Sequence, residues 1–332
     1  FVGVRCDVPA DATVSLIDHG SLEGLVLSEA INPFLSDLDT YHMTAWCLDL
    51  AIRRILAAGG TRDRLCALDN FCWPDPVQSE KTPDGRYKLA QLVRANRALY
   101  DYGTAFGVPL ISGKDSMKND STRGGVKISI PPTLLISVLA RMADVRRAVT
   151  LDVKQPGDLV YLLGNTKAEL GGSEYYRYLG ERGRGKAFVG NSVPRIEVGP
   201  ALALYDRAER ATAAELLRSA HAPAMGGLAV ALAKMAFGGE LGLEVDLRAV
   251  PRREAEQDDE LLYSESGVRL LATCSPGDEP RLVEVLDGVP CARIGEVTAA
   301  PRLRLTGLNG NCLFDADVLE LKRLWKETLN AL

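Results

Sequence analysis

The segments R-L-C-A-L-D-N-F-C-W-P-D-P (64–76) and P-L-I-S-G-K-D-S-M-K-N-D (109–120) decide how this chain is read. A helical run from Tyr87 to Phe106 joins them. Each segment reads as a short apolar strand stopped by polar residues. Leu65–Leu68 stops at Asp69 and Asn70, and Val108–Ile111 stops at Ser112, Gly113, Lys114, Asp115 and Ser116. Two strands joined by one helix predict a right-handed crossover, with parallel strands whose C-terminal ends are neighbours. Polar groups at such ends are where α/β proteins place ligands. Asp69, Gly113, Lys114 and Ser116 are therefore expected to form one constellation: an acid for a metal or hydroxyl, a glycine for close backbone approach, and a lysine for a phosphate. An ordinary turn, with Asp115 and Ser116 capping the next segment, fits the spacing equally well. The pattern is not a Walker A loop, because Val108 stands where its first glycine belongs.

Upstream, strands are expected around Val4–Cys6, Val14–Ile17 and Gly24–Leu27, followed by a loop that Asn32-Pro33 opens. A helix over about 43–58 is apolar on most sides, interrupted by Arg53 and Arg54 and ended by Gly59-Gly60. Thr40 or Thr44 is its expected cap. In the joining helix, Leu89, Leu92, Val93, Ala95, Leu99, Tyr102 and Phe106 are expected on one face. Downstream come Val126–Ile130 and an apolar strand, Thr133–Ala140. The charged, turn-rich connection 143–158 places a domain boundary near residue 150.

The second domain is expected to open with strand Asp158–Leu163, running into G-N-T-K-A-E-L-G-G-S-E-Y-Y (164–176). A strand, glycine-rich loop and helix in that order can hold an anion on free backbone N–H groups. Helix packing alone explains the same glycines. Residues 180–199 read as a basic, mobile loop. A helix over 200–220 leads to H-A-P-A-M-G-G (221–227) and a helix over 228–237. Strands are expected at 241–247, 261–275 and 292–297, a solvated charged segment at 251–260, a helix near 278–287 and a final helix over 315–330.

With 332 residues, two domains are expected. The net charge of −5 and the absence of long like-charge blocks give no reason to expect a nucleic acid or a membrane surface as partner. Apolar runs are far shorter than the ~20 residues that span a bilayer, and no signal-peptide pattern is present. Seven widely spaced cysteines without C-x-x-C predict reduced thiols in a cytoplasmic protein. Cys72, followed by Trp73 and Pro74, reads as a packed small hydrophobe rather than a nucleophile. His19, His42 and His221 show no zinc spacing. A chain opening Phe-Val-Gly rather than with Met reads as a trimmed chain or a piece of a longer polypeptide.

In order, D-N-F-C-W, I-S-G-K-D-S-M-K-N, P-P-T-L-L-I-S-V-L-A, L-L-G-N-T-K-A-E-L-G-G-S-E-Y and L-Y-S-E-S resemble phosphoribosylformylglycinamidine synthase, of the aminoimidazole ribonucleotide synthetase-like superfamily. The match covers nearly the whole chain and corresponds to the C-terminal half of the synthetase portion. The resemblance implies an α+β, two-domain fold. The A domain (1–150) would be half of a shared β-barrel, and the B domain (151–332) a mixed sheet with helices.

It also implies an ATP-dependent C–N ligase of purine biosynthesis. Such an enzyme converts formylglycinamide ribonucleotide to formylglycinamidine ribonucleotide with glutamine-derived ammonia, and uses Mg²⁺. The catalytic histidine motif of the family lies in the first half, which would be a partner of this chain. A glutaminase domain or subunit would be another, and the isolated half is expected to self-associate.

By motif, Asp69, Gly113 and Lys114 would bind nucleotide and Ser116 substrate. Lys114 stands where small superfamily members have a metal-binding asparagine. A second, auxiliary nucleotide site holds Mg²⁺ with ADP in some members. Here Asp11 matches its first acid, but Leu50 and Arg54 replace its helix acid and asparagine. Ala222, Ala224 and Met225 stand where the family has Asp, Ser and Asp. The auxiliary site is thus expected to hold no Mg-nucleotide and to serve as packing. A scaffold half is the alternative reading. A thiamine-monophosphate or selenophosphate enzyme is a weaker one, opposed by A-E-L-G-G-S-E-Y and L-Y-S-E-S.

Overall fold

The computed structural model describes residues 1–186 and 188–327. It is built on two mixed sheets with eight α-helices among the described residues. The N-terminal part contains β1 (Thr13–Leu16), β2 (Gly24–Ile31), α1 (Thr40–Ala57), β3 (Cys66–Cys72), α2 (Gly85–Phe106), β4 (Leu110–Ser116), β5 (Asp120–Arg123), β6 (Val126–Ser129) and β7 (Thr133–Met142). Five of its strands form a sheet in the order β1-β2-β7-β3-β4, and β5 and β6 form a separate hairpin. β3 and β4 pair in parallel across the α2 connection, as the crossover requires.

The C-terminal part contains β8 (Leu159–Leu163), β9 (Thr166–Lys167), α3 (Glu174–Arg184), α4 (Val198–Ala213), β10 (Ser219–His221), α5 (Gly227–Gly239), β11 (Gly242–Asp246) and β12 (Arg252–Arg253). It continues with α6 (Asp258–Tyr263), β13 (Leu270–Cys274), α7 (Glu279–Val285), β14 (Cys291–Thr298), β15 (Arg302–Thr306), β16 (Cys312–Asp317) and α8 (Val318–Glu327). Seven strands form the second sheet, in the order β10-β13-β8-β14-β11-β15-β16. β8 is buried along its whole length because both of its faces are covered. Leu159, Tyr161 and Leu163 join one hydrophobic cluster and Val160 and Leu162 the other. The first cluster also includes α1, α4 and the inner face of the five-stranded sheet, so one core runs through both parts.

α1 lies at the centre of that core. It is apolar nearly all round, as a helix buried on every side must be, and Trp46, Leu48, Leu50, Ile52 and Ile55 are all shut from solvent. Its cap is Asp39 rather than Thr40 or Thr44. The Asp39 carboxylate accepts from the Tyr41 and His42 N–H groups at 2.8 and 3.3 Å. Thr44 lies inside the helix and donates to the Thr40 carbonyl. Asp39→Ala is expected to cost about 1–2 kcal/mol, read as a lower urea midpoint.

Several sequence expectations are corrected by packing. Residues 3–6 form a turn closed by a Val2–Val8 bridge, not a strand. Pro33–Asp37 is a 3₁₀ turn. On α2, Ala95, Leu99 and Tyr102 are buried, but Leu89 and Val93 are 47% and 61% exposed, because only one side of the helix meets the core. The helix expected through residue 220 ends at Ala213, before strand β10. L-Y-S-E-S is not strand but the end of α6 and a buried loop. Within the charged segment, Arg252–Arg253 pairs with β9. The final helix starts at Val318, because 312–317 is the edge strand β16. Residues 328–330 of that expected helix lie outside the described residues. No helix among the described residues is long and apolar enough to cross a membrane.

Candidate functional site

β3 and β4 continue through the polar residues that were expected to stop them, so D-N-F and S-G-K-D-S are ladder residues and not turns. Asp69 pairs with Gly113, Asn70 with Lys114 and Cys72 with Ser116. Adjacent strands thus bring all four predicted residues together, but strand alternation divides them between two faces. Asp69 lies on the face of the buried Ala67 and Phe71, with Gly113 beside it. A Cβ on Gly113 would lie 2.6 Å from Asp69 Oδ1, so glycine is what lets the carboxylate rest over β4. Burial raises the Asp69 pKa above the ordinary carboxylate value, and the Asp115 charge adds to the shift. Lys114 and Ser116 occupy the opposite face, where the Lys114 ammonium donates to the Ser116 hydroxyl.

That opposite face of the five-stranded sheet has no covering layer. It carries Leu25, Leu27, Glu29 and Ile31 from β2, Leu135, Ser137, Leu139 and Arg141 from β7, and Leu68, Asn70 and Cys72 from β3, all half-buried or exposed. β4 is the sheet edge, and Ile111, the extra residue at a register shift against β3, is 62% exposed. Asn70 Oδ1 is buried without a partner. Cys72 is half-buried, while Trp73 is fully buried and donates to the Lys88 carbonyl at 3.0 Å.

The glycine-rich loop before α3 does face an anion, but the anion belongs to the chain. Glu265, 1% exposed, accepts on Oε1 from the Glu174 N–H at 2.9 Å and the Gly226 N–H at 2.8 Å. Asn32 Nδ2 lies 3.4 Å from its other oxygen. One carboxylate therefore sits at the starts of α3 and α5, where unpaired N–H groups collect. Burial outweighs these donors and pushes its pKa up to about 7. A lone Glu in L-Y-S-E-S carries no sequence signal for this role, because its partners come from three distant segments.

Asp11 lies among positive groups. Its Oδ2 is 2.7 Å from His221 Nδ1, and its Oδ1 accepts from the Ala222 N–H at 3.3 Å and is 4.0 Å from Arg54 Nε. Lys234 on α5 adds positive charge within electrostatic range. Burial disfavours the charged form of Asp11, but His221, Lys234 and Arg54 together hold its pKa below the ordinary value. Leu50 is buried in the core, and Ala222 offers no side-chain donor. Among the described residues no group of three or more His, Cys, Asp or Glu side chains is placed to hold a metal ion.

A buried network that sequence reading missed ties α1 to the second part. Asp49 Oδ2 accepts from Arg53 Nε at 2.7 Å and the Val268 N–H at 3.1 Å, and its Oδ1 accepts from the Tyr205 hydroxyl at 2.7 Å. Arg53 also donates to the carbonyls of Pro223 and Arg269. The i,i+4 spacing of Asp49 and Arg53 was the available signal.

Residues 155–307 match the family described as AIR synthase related protein, C-terminal domain. The chain is 29% identical over 99% of its length to the phosphoribosylformylglycinamidine synthase subunit PurL of Thermoplasma acidophilum, and 30% identical over 97% to that of Deinococcus radiodurans. It spans about two fifths of their length, 40% and 41% respectively. Among solved structures, T. maritima PurL complexed with FGAR superposes with a TM-score of 0.73 at 19% identity, over 96% of this chain and 48% of that one. The α+β architecture expected from the motifs is the one observed. Residues 155–307 thus form an AIR synthase-related C-terminal domain, and the chain resembles PurL over nearly its whole length.

Proposed function

We propose that this chain is the C-terminal half of a phosphoribosylformylglycinamidine synthase, active in ATP-dependent C–N ligation when joined to a first half. One observation carries the reading. The uncovered sheet face ends at an unpaired edge strand that presents Lys114 and Ser116. A second half-sheet would cover the apolar rows and close the edge, as β-barrels do. Residues 1–150 would be the barrel half and 151–332 the B domain.

In the closed barrel, Lys114 would meet a phosphate of the nucleotide and Ser116 the ribonucleotide substrate. Asp69 and Gly113, the other two nucleotide contacts that the motif implies, lie on the covered face and would stand behind this contact. Bound ATP with Mg²⁺ supplies the transferring phosphoryl group and neutralises its charge. Ammonia would come from a glutaminase domain or subunit; a structure of PurLQS from Thermotoga maritima is among those this fold matches. Without its first half the chain would self-associate through the open face. The cytoplasm fits seven cysteines that are all free in the structure.

The test is ADP release dependent on formylglycinamide ribonucleotide and ammonia. It is run on the chain alone and on the chain restored to an upstream half. Activity is expected only in the restored protein. Ser116→Ala is expected to lower kcat/KM about tenfold, near 1.4 kcal/mol. Equal activity of the chain alone would refute the composite site. A scaffold role is favoured by the cationic surroundings of Asp11, and inactivity of both forms would select it.

A further inference from the structure

Ser116 is the last residue of β4, at the unpaired edge of the five-stranded sheet. An edge strand is held from one side only, so a side chain at its end keeps one direction only if something else anchors the backbone there. We infer that Asn119 is that anchor, a positioning residue that sets the Ser116 hydroxyl toward the ribonucleotide. The inference rests on the synthase reading and gives a role to a residue that its motifs leave without one.

The Ser116 carbonyl accepts from the Trp73 N–H at 2.8 Å and from Asn119 Nδ2 at 2.6 Å. The Asn119 N–H returns to the Trp73 carbonyl at 3.0 Å, and Nδ2 lies 3.5 Å from that same oxygen. Both neighbours of the side-chain amide are carbonyl oxygens, so its nitrogen must face them and its orientation is fixed. Trp73 is itself held by the core: it is fully buried, its indole N–H donates to the Lys88 carbonyl, and its ring lies edge-on to Phe71. Asn119 therefore ties the free end of β4 to a core residue. Lys118, between Ser116 and Asn119, has a φ of 59°, in the left-handed region that non-glycine residues seldom adopt. Such strain persists only where the surroundings enforce it, and the Asn119 bonds to Ser116 and Trp73 enforce it here.

The anchor acts on Ser116 more than on Lys114. Lys114 lies two residues back inside the ladder, opposite Asn70, where strand pairing holds its backbone. Ser116 ends the ladder, opposite Cys72. Beyond it, Met117 packs against the core and Asp120 accepts from the Asp75 N–H at 3.1 Å. Those contacts survive removal of the Asn119 amide, so Asn119→Ala keeps the fold and frees the end of the strand. Misplacing a contact group by about 1 Å can cost about 100-fold in rate. Here the loss is capped by the roughly tenfold that Ser116→Ala itself removes.

The test is a double-variant cycle in the protein restored to an upstream half, read as kcat and as KM for formylglycinamide ribonucleotide and for ATP. Asn119→Ala is expected to lower kcat/KM for the ribonucleotide about fivefold through KM, with KM for ATP changed less than about twofold. Asn119→Asp keeps the size but offers the Ser116 carbonyl a carboxylate in place of a donor, and is expected to be at least as impaired. In a Ser116→Ala background, Asn119→Ala is expected to add less than about twofold, because it acts through that hydroxyl. Effects of the two variants that multiply, wild-type kinetics in Asn119→Ala, or an equal rise in both KM values would overturn the inference. Hydrogen exchange in the chain alone reads the anchor without activity. The Trp73 and Asn119 amides are expected to exchange at least about threefold faster in Asn119→Ala at an unchanged urea midpoint, and unchanged exchange would also overturn the inference. An inactive wild type in the restored form would instead defeat the synthase reading and with it the ribonucleotide contact, and the exchange result would then decide the anchor by itself.

Discussion

Asp49→Ala is expected to lower the stability of the chain by about 3–5 kcal/mol, the range for removing one partner of a buried ion pair. The change strands Arg53, a guanidinium that is 1% exposed, and leaves the Tyr205 hydroxyl and the Val268 N–H without their acceptor. A domain has about 5–15 kcal/mol in hand, so the variant would lose a large fraction of the total. Urea unfolding followed by tryptophan fluorescence reads the effect, since Trp46 lies one turn away on the same helix. The double variant Asp49→Ala, Arg53→Met is expected to recover part of the loss, because it removes the stranded charge. A single-variant loss below about 1 kcal/mol would mean that the network is open to water.

Glu265 gives the second large effect, one that depends on pH. Its pKa stands at about 7, above the ordinary 4.5. The folded state therefore holds the proton more tightly than the unfolded chain. The stability this contributes is fully present below about pH 4.5 and is lost as the pH rises to about 7. The shift corresponds to about 3 kcal/mol across that window. The stability of the wild type minus that of Glu265→Gln should fall by this amount between pH 4.5 and 8. Parallel pH–stability curves for the two proteins would refute it.

What the sequence made legible, and what it hid, follow a physical pattern. The βαβ unit was readable because helix period and apolar runs are local, and β3, α2 and β4 appear where 64–116 placed them. Element ends were not. D-N-F and S-G-K-D-S look like turn residues, yet they extend two strands because a ladder satisfies their backbone regardless of side-chain polarity. The same extension split Asp69 and Gly113 from Lys114 and Ser116, since one residue of register decides the face. The loss of acids around Asp11 could be read by motif. The approach of Lys234 to Asp11 could not, because it arrives from a position more than 200 residues away and outside the motif. The glycine-rich loop read as an anion cradle, and only the fold shows that Glu265 supplies the anion.

Asp7 meets both Lys322, at 2.9 Å, and Lys326, while Arg5 and Lys322 share Glu240 on α5. The first and last described segments are thereby clasped at one corner. Any module fused upstream and any fused downstream would be delivered to the same place, side by side. A short linker between these two segments would permit circular permutation with new ends at an exposed hairpin such as Gly124-Gly125.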